Sequence, residues 1–255
     1  MDFAKKILNK VPEVTIFFWI IKILCTTVGE TAADLLNMNL HRGLALTTYF
    51  MSVLWIVALI IQFSFKKYVA GVYWITVVLI SVVGTLITDN MTDHFWVSLV
   101  TSTIVFAIAL AVTFCVWYAS EKNLSMTSIT TFRREVFYWL AILFTFALGT
   151  AAGDLVAERL HLGYLISALI FAGIIAVIAI AHYRFKLDSI LSFWLIYILT
   201  RPFWASIADY LSQSHTYGGL GFGVVNTSIV FLWLILVLVI YLSISKRDVM
   251  ELKSR

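Results

Sequence analysis

The chain has 255 residues, of which 62% are hydrophobic and 13% charged, with two prolines and a formal net charge of +4. Such a composition excludes a soluble domain and indicates a polytopic membrane protein, because runs of about 20 apolar residues are long enough to cross a bilayer. The basic excess lies at the ends of the apolar runs and is no nucleic-acid footprint. In chain order the predicted spans run roughly 13–36, 44–65, 69–91, 96–118, 135–157, 163–184, 188–211 and 220–244. Helices are required, since a bilayer core offers no water to backbone polar groups. The long Ile/Leu/Val/Phe runs lack the period-two alternation of a membrane barrel. The first span follows three lysines and shows no small-residue cleavage pattern, so it reads as an uncleaved anchor. The longest internal loop, Ala119–Arg134, falls at the middle of the chain.

One spacing recurs through the chain. Trp19, Trp74, Trp139 and Trp194 each stand fifteen residues before an aspartate, namely Asp34, Asp89, Asp154 and Asp209. Self-similarity at a fixed period means one structural unit copied. The copies cover about 12–66, 67–122, 132–186 and 187–245, as two 120-residue halves. Gly29, Gly84 and Gly149 each precede their aspartate by five residues, and Trp204 breaks that pattern in the fourth copy. The expected fold is therefore an all-α membrane protein of eight transmembrane helices in four parallel two-helix repeats. The tryptophans read as a repeated packing contact, with an interfacial aromatic belt as the alternative.

Orientation follows from the basic residues. With eight spans both termini lie on one side, and that side takes fourteen of the eighteen Lys and Arg, against Arg42 and Arg159 opposite. The bias predicts cytoplasmic termini. Lys22 and Arg201 complete the count inside spans. Cys25 and Cys115 lie in different spans and read as packing residues.

Four tandem two-span repeats with one shared tryptophan each resemble a bacterial membrane protein family known only as a repeat of unknown function. The resemblance spans about residues 12–245. It implies a multi-pass protein of the bacterial cytoplasmic (inner) membrane and carries no activity to transfer.

The candidate chemistry lies in the acids. An ionisable group at the centre of a span costs about 2.5–3.5 kcal/mol, less toward the interface. A carboxylate near a helix C-terminus also opposes the helix dipole. Asp34, Asp89, Asp154, Asp209 and Glu30 thus need a cation, a basic partner, protons or a water-filled vestibule, unless each aspartate merely caps a turn beyond its helix. Two bases within the spans, Lys22 and Arg201, are fewer than five acids, which favours a cation or protons. Pro202 cannot donate to the carbonyl of Ile198, so the helix carrying Arg201 is expected to kink or break. His41, His94, His161 and His215 follow the aspartates closely, and imidazole with carboxylate suits a divalent transition metal. The alternative is polar loop residues near headgroups. His182 reads as interfacial.

The function expected from these residues is a small secondary transporter or channel-like carrier that handles a divalent cation or protons through the aspartate ring. The alternative is a non-transporting scaffold or regulatory partner-binding protein. No serine–histidine pair, His-Glu-x-x-His motif or cofactor fingerprint indicates an enzyme. Apart from a bound divalent cation, no cofactor is expected. The partners are the lipid bilayer and a small cation or other solute, and oligomeric state is left open.

Overall fold

The computed structural model describes residues 9–40 and 44–249, without the side chains of 37–40. Eight long helices carry the fold: α1 (Ile16–Leu40), α2 (Leu44–Ser64), α3 (Ala70–Asp89), α4 (Leu99–Glu121), α5 (Phe132–Asp154), α6 (Tyr164–Phe185), α7 (Ser189–Ser212) and α8 (Val224–Ser245). All eight hold spans long and apolar enough to cross a membrane. No strand occurs among the described residues.

Local signals set the ends. Ser98, Thr131 and Asp188 cap α4, α5 and α7, each accepting from the backbone N–H three residues on. Lys122, Lys186 and Lys246 close α4, α6 and α8 in the left-handed conformation. A cation there also complements the carbonyl-rich helix end. The lysines that bias orientation therefore also terminate helices. α3 and α5 each continue into a π-helical turn, Asn90–His94 and Leu155–Arg159, at repeat-equivalent positions.

The helices form two concentric rings. α1, α3, α5 and α7 pack neighbour to neighbour, and α7 closes back on α1. The second helix of each repeat docks outside on the first helix of the next repeat: α2 on α3, α4 on α5, α6 on α7, and α8 on α1. α1 scarcely touches α2. Between 44% and 67% of each inner span is buried, against 17–22% of each outer span. Outer side chains such as Ile60, Ile108, Val177 and Ile229 are exposed, as lipid-facing residues must be.

An aromatic layer closes the inner ring near the helix starts. The residue before each repeat tryptophan meets the tryptophan of the next repeat: Phe18–Trp74 at 5.8 Å between ring centroids, Tyr73–Trp139 at 5.6 Å, Tyr138–Trp194 at 6.3 Å, and Phe193–Trp19 at 5.8 Å. Each such pair adds about 0.5–1.5 kcal/mol beyond its burial. The Tyr73 and Tyr138 hydroxyls hydrogen-bond to each other inside the layer.

Nearly three turns further along, ten residues past each tryptophan, the inner helices cross closely. A Cβ on Gly29 would lie 1.8 Å from Ser81 Oγ, one on Gly84 2.6 Å from Phe146 Cβ, and one on Gly149 2.1 Å from Arg201 Cγ. With lipid as apolar as leucine, such close packing rather than hydrophobic transfer holds membrane helices together. The acids stand immediately beyond this waist.

Candidate functional site

Arg201 projects from α7 over Gly149 of α5, and the missing Cβ there gives its stem room. Its guanidinium is fully buried, 5.3 Å over the Phe146 ring. The Nη2 atom is 2.8 Å from Glu30 Oε2 and donates to Thr85 Oγ1 at 2.6 Å and Thr150 Oγ1 at 2.8 Å. Those three partners belong together. The spacing that relates the four tryptophans also relates Glu30, Thr85, Thr150 and Ala205. One nitrogen of Arg201 therefore sits among three repeat-equivalent polar side chains, and the fourth position is an alanine on its own helix. Among the described residues Nε and Nη1 of Arg201 have no hydrogen-bond partner.

Glu30 joins this layer to the next. Single carboxylate oxygens of Glu30, Asp154 and Asp209 lie within 4.8 Å of one another, from α1, α5 and α7. Like charges that close repel by about 3–4 kcal/mol per pair at an effective dielectric of about 20. Asp34 accepts from Gln213 Nε2 at 3.2 Å. Asp89, at the end of α3, holds the repeat-equivalent position. Three of the acids, from α1, α5 and α7, are therefore near enough to share one ion.

None of the four aspartates sits beyond a helix end as a turn cap. Asp34 and Asp209 lie within α1 and α7, and the chain stays helical past Asp89 and Asp154 through the π-helical turns. α7 also continues through Pro202 without a break. The proline packs against α5, its ring Cδ at Gly149 and its backbone at Gly153. The broken helix expected from its missing N–H does not occur.

Lys22 is buried on the aromatic side of Arg201. Its Nζ donates to Tyr197 O at 2.9 Å and to Thr200 Oγ1, and lies 4.4 Å over the Tyr197 ring. Among the described residues no carboxylate comes within 4.0 Å of it. Lys22 thus stands apart from the acids and fastens α1 to α7.

The histidines lie elsewhere. His94 is exposed and packs on Phe95, while His161 and His215 sit in exposed connections. Among the described residues the close carboxylate group contains no histidine. His41 lies outside the described residues.

Two features escaped sequence reasoning. The first is the pair Thr85 and Thr150, whose spacing from Glu30 matches that of the tryptophans and is a usable signal. The second is a strap. Residues 9–15 run across the helix starts, with Asn9, Lys10 and Val11 buried. Lys10, which reads in the sequence as a cytoplasmic surface charge, donates to Glu135 Oε2 at 2.6 Å and Phe63 O at 3.2 Å. Gln62 Nε2 completes the socket, 3.0 Å from Glu135 Oε1 and 3.3 Å from Lys10 O. The strap also meets the tail, Glu13 N donating to Asp248 O at 2.8 Å. Tyr68 donates its hydroxyl to the Asp248 carboxylate, whose burial pushes it above the ordinary carboxylate range.

A family model described as Repeat of Unknown Function (DUF347) matches four times, at residues 17–68, 72–123, 137–188 and 192–248. No curated protein and no solved structure matches the chain.

Proposed function

We propose that this chain, which belongs to the DUF347 repeat family, is a small carrier that loads a hard divalent cation on the acids at the centre of its inner ring, with protons as competitors. The observation behind this reading is the approach of the Glu30, Asp154 and Asp209 oxygens to within 4.8 Å inside a ring of apolar helices. An all-carboxylate set without imidazole favours Mg²⁺, Mn²⁺ or Ca²⁺ over zinc or nickel. A bound ion or shared protons would relieve the repulsion that three ionised groups suffer there. Glu30 and Asp209 are both buried, so the charge cannot be left to bulk water. Asp34 and Asp89, held nearby, extend the negative field toward the far ends of the inner helices.

The test is cation-dependent thermal stabilisation of the purified full chain, followed by uptake into reconstituted vesicles. Asp154→Asn, Asp209→Asn and Glu30→Gln should each lose most of the stabilisation by Mn²⁺ while the parent keeps it. The effect should weaken as pH falls, because protons compete for the same oxygens. Variants that bind and transport like the parent would leave the acids without this role and favour a non-transporting scaffold.

A further inference from the structure

Arg201 is an unusual counter-charge. Thr26, Ser81 and Phe146 hold the positions equivalent to it in the other repeats, so the arginine is an addition in one copy. Its Nη2 sits among Glu30, Thr85 and Thr150, where a ligand of a symmetric ring would sit. It is not locked there. An arginine kept only as a structural bolt in a dry interior is expected to have its donors satisfied. Here Nε and Nη1 have no partner among the described residues, although the side chain is fully buried. Glu30, the carboxylate it holds, also belongs to the three-acid group.

We propose that Arg201 is a tethered competitor for the cation site. Its guanidinium neutralises Glu30 when no cation is bound and yields Glu30 when one arrives. It thereby lowers the site's affinity to a level that allows release, and it offsets one of the carboxylate charges while the site is empty. This inference rests on the reading that the acids load a cation. Affinity is traded for turnover: a site without its internal competitor binds tightly and releases slowly.

Mn²⁺ binding to the full chain, followed through the electron paramagnetic resonance of the free ion, tests this directly. Arg201→Gln should lower the Mn²⁺ Kd by at least about tenfold, the size of a typical coupling between sites. In a Glu30→Gln background the same change should give less than about threefold, because the competition acts through Glu30. Arg201→Met supplies a second route. It keeps an apolar stem of similar length beside Gly149 and removes the charge, so it too should tighten binding. Vesicle uptake by Arg201→Gln should be slower at saturating Mn²⁺ despite the tighter site. If folded Arg201→Gln and Arg201→Met bind no tighter than a parent that needs Asp154, Arg201 is a structural bolt and the inference falls alone. If neither parent nor variants bind Mn²⁺, the cation reading falls and takes this one with it.

Discussion

Single atoms set how near the inner helices come. Gly84 faces the backbone and Cβ of Phe146, and an added methyl would stand 2.6 Å from that Cβ. Neither neighbour can swing aside, so helix separation must give. Gly84→Ala should destabilise by about 1–3 kcal/mol, the usual cost of overpacking. Gly173 on the outer helix α6 meets nothing within 4 Å. Its replacement by alanine should be neutral or stabilising by up to about 1 kcal/mol, since alanine is the better helix former. Thermal melts of the two variants in one detergent compare them. Equal losses would show that glycine content, rather than the crossing, sets the tolerance.

Among elements, the strap at residues 9–15 is held by polar contacts as well as by Val11, which packs into the apolar core. Glu135 is fully buried and its charge is answered by Lys10 and Gln62. Removing one partner of a buried ion pair costs about 3–5 kcal/mol, because the other is left unpaired in a dry site. Lys10→Met and Glu135→Gln should each lower the melting temperature clearly. The double variant should lose less than the two single losses together. Strict additivity would mean that the strap does not hold this geometry in solution. The sequence hinted at the socket only through an acid after Arg133 and Arg134. Nothing in it marked Lys10, one of fourteen basic residues on that side, as buried.

At the scale of the molecule, docking each outer helix on the next repeat turns four copies into a closed ring. α8 packs on α1, so no repeat is terminal and none needs a special capping surface. Parallel repeats place both termini at the same end as Lys122, Lys186 and Lys246. The positive-inside bias then predicts that Ser125 faces the cytoplasm and Ser214 the outside. With Cys25 and Cys115 replaced by alanine, a cysteine at Ser214 should react with an impermeant thiol reagent in intact cells. One at Ser125 should react only after lysis. The reverse pattern would turn the acids toward the cytoplasm and invert the direction from which a cation loads.

Local chemistry alone determined the eight helices, their order along the chain and the fourfold kinship. Span length, lysine stops and the tryptophan-to-aspartate spacing are properties of neighbouring residues. Glu30 and Arg201 were legible too, since a charge inside an apolar run is conspicuous wherever the chain goes. Tertiary structure decided what those residues meet. That α2 leans on α3 rather than α1 depends on how helix surfaces fit, which no period records. That Arg201 reaches Glu30, Thr85 and Thr150 depends on ring closure bringing residues 51 to 171 positions apart to one point. Among the described residues His94, His161 and His215, close to the aspartates in sequence, are exposed and stand outside the acid group, His94 and His161 lying at and beyond the ends of the helical turns that follow Asp89 and Asp154.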